Sequence, residues 1–431
     1  MNGGWLPERA LDLRDKGVPA LGRDLPLTAV GAQGWRVLQE DLPLPVAVIK
    51  ESALRHNSAW MKAFLAKEGA RIAPHGKTTM SPALFDLQIA DGAWGVTLST
   101  QHQIQVARSF GYDRIFLANQ LVGRSAIAYV ASQLRDHPEF EFYCLVDSAT
   151  NVEAIARVAA DLGVSRPVNL LVELGYPGGR TGCRSLDEAA ALASFVNRTD
   201  KVRLAGFEGF EGLLRGASRQ ETAALVSAFL DDLVHLAERC SREGLLSGET
   251  AILSAGGSAF YDIVAAKLKA ARLDRPSLVL LRAGCYITHD TLLYGRAFEA
   301  LRERNPVLAA SRGGLIPALE IWAYVQSRPE PGKAILGFGK RDASYDEPPV
   351  ALSWFRPGGA MSQPVPVPDG HEVHGLNDQH CHLIVPENSP LMVGDMMSLG
   401  ISHPCLTFDK WRVIHLVDDN YRVTSSIRTY F

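Results

Sequence analysis

The stretch RIAPHGKTTM, at residues 71–80, is the starting point for interpreting the fold. A short apolar run ends at Pro74, and Lys77 follows among small and hydroxylated residues. Ser81 and Pro82 then have the residue types of a helix N-cap and a first helical position, so the pattern predicts a strand, a turn and a helix. Lys77 is expected just past the C-terminal end of that strand, where α/β barrels keep their catalytic groups. Desolvation there would favour its neutral amine, which condenses with carbonyl groups, whereas an ordinary solvated lysine is the alternative.

Around this stretch, short apolar runs alternate with amphipathic helical segments. Strands that are buried on both faces have continuous apolar runs, so eight such runs predict eight parallel strands. The runs lie at residues 70–74, 95–98, 115–118, 142–147, 168–173, 202–208, 251–254 and 278–283. Their number and a span of about 240 residues are typical of a (β/α)8 TIM-type barrel. A doubly wound open sheet is the alternative, although the first unit lacks the glycine motif of dinucleotide-binding folds.

The residue pattern of the sequence changes near residue 311. Helical periodicity gives way to strand-like pieces that are separated by proline and glycine clusters, which predicts a β domain. The first 45 residues are rich in turns and are expected to pack on that domain. The predicted architecture is therefore α/β, with a barrel at residues 46–310 and a C-terminal β domain at 311–431 that also recruits residues 1–45.

Composition excludes several classes of function. The 431 residues are 47% hydrophobic and 21% charged, which is typical of a globular protein with a large core. A net charge of -3 gives no basic field for nucleic acid or an anionic membrane, and no run is long enough to span a bilayer. Residues 1–5 do not begin a signal peptide. Six cysteines without a CxxC pair predict a reducing cytoplasm.

Two glycine-containing turns follow the seventh and eighth predicted strands, where barrels frequently bind phosphate. The residues concerned are Gly256, Gly257 and Ser258 in the first turn, and Gly284, Cys285 and Tyr286 in the second. Glycines let backbone amides approach an anion closely. Together the turns predict a phosphate-bearing ligand at the barrel mouth, with Tyr286 as a hydroxyl donor to it. Turns without a ligand are the alternative.

Charged side chains follow the fifth and sixth predicted strands. Arg180 carries a guanidinium that keeps its proton and can donate to a ring nitrogen. Glu208 and Glu211 lie among glycines, and Glu208 is better placed to point into the mouth and meet a substrate. Solvated loop side chains are the alternative for all three.

A histidine pair lies in the predicted β domain. His380 and His382 flank Cys381, and in an extended segment the two imidazoles share one face. Two imidazoles on one face suit zinc or a similar divalent ion. Hydrogen-bonded surface histidines are the alternative.

These residues together resemble the D-serine dehydratase and D-threonine aldolase family, pyridoxal-phosphate enzymes with the alanine-racemase type of fold. The resemblance covers most of the chain. It rests on the Pro-His-x-Lys-Thr core at 74–78, the Gly-Arg-Thr-Gly run at 179–182, the glycine turn at 256–257 and the histidine pair of the C-terminal domain.

The resemblance implies roles for individual residues. Lys77 would bond covalently to the cofactor, Arg180 would contact the pyridine nitrogen, and the phosphate would lie on the two glycine turns. The family's metal pair is commonly His-x-Cys or His-x-Asp, and the positions aligned with it here are His380 and His382, with zinc or manganese as the ion. Relatives tend to place a histidine-containing segment after the sixth strand, where this chain has residues 207–211 without histidine.

The resemblance also implies an activity. The chain is expected to be a lyase for D-configured β-hydroxy amino acids, a dehydratase that yields a 2-oxo acid and ammonia. Aldolase-type cleavage to glycine and an aldehyde is the alternative, and an amino-acid racemase or a non-catalytic pyridoxal-phosphate-binding protein is the second alternative. Because family members are usually dimers, a homodimer is expected.

Overall fold

A parallel sheet forms the first half of the molecule. The computed structural model describes residues 9–305, 308 and 313–431, and within them eight parallel strands follow one another around this sheet. They are β2 (Arg71–Ile72), β3 (Val96–Leu98), β4 (Arg114–Gln120), β5 (Glu141–Val146), β6 (Val168–Leu174), β7 (Val202–Gly209), β8 (Ala251–Ala255) and β9 (Ser277–Leu281). The Trp94 amide donates to the Ile72 carbonyl at 2.7 Å and the Thr97 amide to the Pro74 carbonyl at 2.9 Å. These bonds join β2 to β3, so the sheet closes into the predicted barrel.

Helices cover the outside of the barrel. They are α1 (Glu51–Glu68), α2 (Pro82–Ala90), α3 (Gln101–Ser109), α4 (Arg124–Asp136), α5 (Ala149–Asp161), α6 (Leu186–Arg198), α7 (Arg219–Arg242), α8 (Tyr261–Lys269) and α9 (Leu293–Arg304). Helix α2 begins at Pro82 with Ser81 as its N-cap residue, as predicted. No helix among the described residues combines the length and the hydropathy needed to cross a bilayer.

Apolar side chains fill the barrel interior, as expected of a packed core rather than a pore. The layer consists of Ala73, Phe116, Leu145, Leu171, Ala205, Ile252 and Leu280, all buried. This layer gives a rigid floor to anything bound at the C-terminal ends of the strands.

The second sheet is mostly antiparallel. Its strands are β1 (Val46–Lys50), β10 (Leu319–Glu330), β11 (Lys333–Leu336), β12 (Val350–Phe355), β13 (Val365–Pro366), β14 (Glu372–Leu376), β15 (Cys381–Ile384), β16 (Met396–Gly400), β17 (Val413–Val417) and β18 (Val423–Arg428). The central order is β13-β12-β16-β10-β1-β17-β18, while β11, β15 and β14 extend from β10. Strand β1, from the start of the stretch predicted to be barrel, pairs here with β10 and β17.

The N-terminal segment packs on this second sheet, as predicted. Asp15 forms a buried ion pair with Arg428 of β18 at 2.5 Å, and the Gly17 carbonyl accepts a hydrogen bond from His415 of β17 at 2.9 Å. Residues 1–8 and the predicted boundary between residues 310 and 311 lie outside the described residues. The domain boundaries therefore stay predictions.

The β domain contacts the barrel at its C-terminal face. A helical turn, Cys405–Phe408, packs against the turn Gly76–Thr78 that carries the predicted lysine. The Cys405 thiol donates to the Thr78 hydroxyl at 3.4 Å, and the Tyr430 amide donates to the Met80 carbonyl at 2.9 Å. The two sheets thus meet beside Lys77.

Candidate active site

A cavity of about 580 Å³ lies at the C-terminal ends of the barrel strands, next to the β domain. Its volume is within the range of small-molecule sites. The lining residues are His75, Lys77, Thr78, Ser99, Ala118, Asn119, Arg180, Phe210, Gly256, Gly257, Ser258, Arg282, Gly284, Cys285, Tyr294, His403, Cys405 and Leu406. Most of the predicted cofactor-binding residues are therefore brought together around one space.

Lys77 projects into this cavity from a tight turn. Its side chain is exposed to the open space, and Gly284 supports the turn from the end of β9. A side chain at position 284 would clash, because a Cβ there would lie 2.5 Å from the His75 carbonyl oxygen and 2.6 Å from the Thr78 hydroxyl oxygen. The close approach of these two backbone segments fixes the position of the turn that carries Lys77.

His75 lies beside the lysine. Its Nε2 atom is 3.3 Å from the Ser99 hydroxyl, and its Nδ1 atom is buried without a hydrogen-bond partner among the described residues. Burial, with the nearby charges of Lys77 and Arg282, holds the pKa of His75 well below its usual value. The imidazole is therefore neutral and a weak base.

The cavity carries a positive field. Lys77, Arg180 and Arg282 line it, and no carboxylate is among the described residues that do so. The Arg180 guanidinium lies over the Phe210 ring at 4.4 Å from its centroid. Such a space favours an anionic ligand, for example a phosphate ester or an amino-acid carboxylate.

The two glycine turns meet at one side of the cavity. Gly256 has a φ of 117°, which a side chain rarely permits, and lets the chain turn sharply after β8. The Gly257 amide donates to the buried Glu211 carboxylate at 3.2 Å, and the Cys285 amide donates to the Ser258 hydroxyl at 3.4 Å. The first bond ties one turn to the segment after β7, and the second joins the two turns at the predicted phosphate position.

Tyr286 does not line the cavity. Its ring is buried, and its hydroxyl accepts a hydrogen bond from Gln88 of α2 at 3.3 Å, behind the turn. A different tyrosine, Tyr294 on α9, lines the cavity. The predicted hydroxyl donor is thus at the wrong place, because the chain turns at Cys285–Ile287 and directs the Tyr286 side chain outward.

Glu208 lies beneath the cavity rather than in it. It is buried and pairs with Arg282, which also donates to the Ser254 hydroxyl at 2.6 Å. Burial raises the pKa of Glu208 to about 7, although the Arg282 charge acts in the opposite direction. This placement makes Glu208 a support for the Arg282 guanidinium, and the Glu208 side chain does not line the cavity.

The predicted metal pair lies elsewhere. His380 is exposed just before β15, and His382 is half-buried with its Nε2 atom 2.6 Å from the Asn377 side-chain oxygen. Neither residue lines the cavity that holds Lys77. Across the described ranges, no group of three or more His, Cys, Asp or Glu side chains is arranged to hold a metal ion.

A second histidine pattern does reach the cavity. His403 and Cys405, two residues apart, both line it, and the His403 Nδ1 atom is 3.0 Å from the Asp346 carboxylate. Burial alone would lower the pKa of His403, but hydrogen bonds and charges of Cys405 and Asp346 outweigh it and raise the pKa to about 9. Hydrogen bonds from Cys285 and His403 lower the pKa of Cys405. The His-x-Cys spacing at 403–405 is the sequence signal that could have identified this pair.

Two families match the sequence. The family described as "Alanine racemase, N-terminal domain" matches residues 49–272, and the "Putative serine dehydratase domain" matches residues 318–417. A D-threonine aldolase from Arthrobacter sp is 23% identical over 308 residues, which cover 72% of this chain and 74% of that protein. A D-threo-3-hydroxyaspartate dehydratase from Delftia sp. (strain HT23) is 28% identical over 258 residues, which cover 58% of this chain and 63% of that protein.

Solved structures share the fold. The D-threonine aldolase from Filomicrobium marinum has a TM-score of 0.74 at 20% identity, covering 92% of this chain and 97% of that one. The D-threo-3-hydroxyaspartate dehydratase from Delftia sp. HT23 has a TM-score of 0.66 at 20% identity, with 92% and 99% covered. These similarities confirm the barrel with its added β domain.

Proposed function

Because the chain belongs to the family of the alanine racemase N-terminal domain, whose match spans more than half of its 431 residues, we propose that it is a pyridoxal-phosphate- and metal-dependent lyase of D-configured β-hydroxy amino acids. One observation carries the proposal: the Lys77 amine and the His403–Cys405 pair line the same cavity. The names of the two relatives, a D-threonine aldolase and a D-threo-3-hydroxyaspartate dehydratase, support the substrate class.

The residues around Lys77 suit pyridoxal phosphate. The lysine amine would bond to the cofactor aldehyde, Arg180 would donate to the pyridine nitrogen, and the turns 256–258 and 284–285 would hold the phosphate. The positive field of the cavity, without a lining carboxylate among the described residues, supports this assignment. Bound pyridoxal phosphate supplies an aldehyde for the substrate amine and a ring that accepts the electron pair of the α-carbon.

We propose His403 and Cys405, rather than His380 and His382, as the metal ligands. The Asp346 carboxylate next to His403 Nδ1 would leave the Nε2 atom free for the ion, an arrangement common at metal-binding histidines. An imidazole and a thiolate favour zinc over manganese. A bound divalent ion supplies Lewis acidity toward the β-hydroxyl oxygen of the substrate.

Structures of a relative support this choice of segment. One matching structure is of a histidine-to-alanine mutant of D-threo-3-hydroxyaspartate dehydratase, and another is of the metal-free form of a cysteine-to-alanine mutant. The mutated histidine and cysteine lie two positions apart in that protein. His403 and Cys405 have the same order and spacing.

The chain's own groups would then divide the work. The Lys77 amine removes the α-proton of the bound substrate, because it is the basic group that projects into the cavity from the barrel. Arg282, held by Glu208, adds positive charge at the floor. Leu406 and Phe210 line the opening with apolar surface and limit the access of water.

Dehydration to a 2-oxo acid and ammonia is the reaction that these residues support best. Aldol cleavage would need a base for the β-hydroxyl proton, yet His75 is a weak base and His403 is assigned to the metal. Phe210 follows β7 where an imidazole would serve that purpose. Retro-aldol cleavage is the second candidate, since one relative carries the name of an aldolase.

Covalent labelling tests the cofactor assignment. Reduction of the purified holoenzyme with borohydride, followed by digestion and mass spectrometry, is expected to show a pyridoxyl group on Lys77. The Lys77→Arg variant should carry no label while remaining folded. A label on another lysine would refute the role given to Lys77.

Product analysis tests the reaction. With D-threonine and zinc, the expected products are 2-oxobutanoate and ammonia, and L-threonine serves as the control that should not react. Glycine and acetaldehyde as main products would establish the aldolase alternative instead.

We also propose a cytoplasmic homodimer. All six cysteines are free, which suits a reducing compartment. The oligomeric state is measured by sedimentation equilibrium of the holoenzyme, and a monomer at micromolar concentration would contradict the dimer.

A further inference from the structure

Two thiols, one from the barrel and one from the β domain, meet at the cavity. The Cys285 Sγ atom, at the end of the barrel, is 3.6 Å from the Cys405 Sγ atom of the β domain. Each cysteine is the first residue of a short helical turn, Cys285–Ile287 and Cys405–Phe408. We propose that these two cysteines form a reversible disulfide that inactivates the site.

The geometry allows bond formation with little movement. A disulfide has a sulfur–sulfur distance of about 2.05 Å, so the two atoms must approach by about 1.5 Å. Both residues stand at the start of a turn, where a side-chain rotation and a small backbone shift can bring the thiols together. Both also line the cavity, so a small oxidant that enters the site can reach them.

The pair differs from the other cysteines of the chain. Cys144, Cys183, Cys240 and Cys381 are buried, at most 1% exposed, and none of them lines the cavity. Cys405 is more exposed than Cys285, which is 3% exposed. Cys405 is therefore the thiol that reacts first, and Cys285 is placed to resolve the product.

A low-molecular-weight disulfide such as glutathione disulfide is the oxidant in this proposal. The Cys405 thiolate attacks one sulfur of it, a mixed disulfide forms on Cys405, and one glutathione leaves as its thiolate and takes up the proton that Cys405 released on ionisation. The Cys285 sulfur then attacks the Cys405 sulfur, and the second glutathione leaves and takes the Cys285 proton. Two protein thiols are oxidised, and one glutathione disulfide is reduced to two thiols.

The disulfide would change both halves of the site. Cys405 would lose the thiolate that it offers to a metal, and the turn at Gly284 and Cys285 would be tied to the β domain. This consequence rests on the proposed function, whereas bond formation does not. Conversely, a metal bound at Cys405 would slow the oxidation, because the coordinated thiolate is withheld from the oxidant.

Thiol mapping on the full-length protein tests bond formation. The protein, freed of metal with a chelator, is equilibrated in buffers of graded ratios of reduced to oxidised glutathione, alkylated, digested and analysed by mass spectrometry. The expected product is a linked peptide pair that contains Cys285 and Cys405, two hydrogens lighter than the separate peptides and cleaved by dithiothreitol. The other four cysteines should remain fully alkylated and serve as the internal control.

Two outcomes would overturn the proposal. One is a glutathione adduct on Cys405 that never proceeds to the linked pair. The other is full alkylation of both cysteines in oxidised glutathione. The Cys285→Ser variant, which keeps Cys405, should stop at the glutathione adduct, and its folding is checked by circular dichroism.

Binding of zinc, added without other ligands, tests whether the disulfide weakens metal binding. Titration calorimetry should show that the oxidised protein binds zinc at least about tenfold more weakly than the reduced protein. Saturating zinc should slow formation of the linked pair by a similar factor. If the pair forms but zinc binding is unchanged, the metal assignment to Cys405 fails and the disulfide stands, so the two failures are distinguishable.

Discussion

Two segments of the β domain have histidine followed two residues later by a second metal-binding side chain, and they differ in where they lie. The segment His380–His382 leads into β15, in the part of the sheet that extends from β10 through β11. The segment His403–Cys405 follows β16 and leads into the turn that packs beside Lys77. A spacing of two residues shows that two metal-binding side chains can lie on the same side of the chain. The position of the segment in the fold decides whether that side faces the cavity.

The two segments also differ in how firmly they are held. The Ser344 hydroxyl lies 2.8 Å from that of Ser402 and accepts a hydrogen bond from the His403 amide at 3.1 Å. The His382 imidazole, in contrast, bonds to Asn377 at the solvent-exposed end of its own hairpin. A metal site needs side chains fixed from behind, and this condition favours the segment at the cavity.

Removal of one donor from each segment should give the largest contrast. His403→Ala and Cys405→Ser are expected to weaken zinc binding at least about 100-fold and to abolish lyase activity, because each removes one of the two proposed protein ligands. The variants His380→Ala and His382→Ala, which leave both proposed ligands in place, should bind zinc as the unmodified protein does. Zinc affinity is measured by competition with a chromophoric chelator. A larger loss of affinity in the His380 and His382 variants would show that those histidines, and not His403 and Cys405, bind the metal.

This contrast explains what the sequence could predict. The eight apolar runs predicted the barrel, since parallel strands buried on both faces leave an unmistakable pattern. The rule that catalytic groups follow barrel strands identified Lys77, Arg180 and the two glycine turns as candidates, and in the structure they line one cavity. Strands β12 to β15 carry no comparable pattern, because they are short and only partly buried, and they were not predicted individually.

The remainder of the site depends on tertiary packing. Tyr294 lies on α9, and the pair His403 and Cys405 lies after a strand of another sheet. Their approach to Lys77 is fixed by how the two sheets pack, which no local periodicity encodes. Glu208 shows the reverse case, since it lies within β7, near the C-terminal end of the strand, yet pairs with Arg282 beneath the cavity.

A third histidine of the β domain, unlike the two segments, is expected to affect the stability of the fold. His415 is fully buried on β17, donates from Nε2 to the Gly17 carbonyl and accepts at Nδ1 from the Ser426 hydroxyl. Burial lowers its pKa to about 4, below the usual value of 6.5. Between pH 6.5 and 4 the unfolded chain therefore binds more protons at this residue than the folded chain, and the free energy of unfolding falls by up to about 3 kcal/mol as the pH drops.

The His415→Gln variant should lose that part of the pH dependence. Urea unfolding of the metal-free protein is measured from pH 4.5 to 7.5, and the slope of stability against pH should be smaller in the variant. His380→Gln, which changes an exposed histidine of the same domain, is the control. If the free energy of unfolding depends on pH equally in both variants, burial of His415 is not the cause of that dependence.

Substitutions at two glycines, one near each segment, test how tightly the chain is packed there. A Cβ at Gly284, at the cavity, would lie 2.5 Å from the His75 carbonyl oxygen, whereas a Cβ at Gly375, which pairs with His382 across β14 and β15, would meet open space. Gly284→Ala is expected to destabilise the protein by about 2 kcal/mol, since the backbone must shift. Gly375→Ala should change stability by less than about 0.5 kcal/mol. Urea unfolding measures both, and similar values would contradict the tight packing around Lys77.

The smallest expected effect comes from the group behind the proposed ligand. Asp346 lies 3.0 Å from His403 Nδ1 and accepts from the Ser402 hydroxyl at 2.8 Å. Asp346→Asn keeps the shape but removes the charge that orients the imidazole and makes it more basic, so zinc affinity should fall about tenfold. Asp378→Asn, an exposed aspartate near His380, is the matched control and should have no effect. Equal affinities for the two variants would mean that Asp346 does not act through His403, and the preference for the segment at the cavity would then rest on the ligands alone.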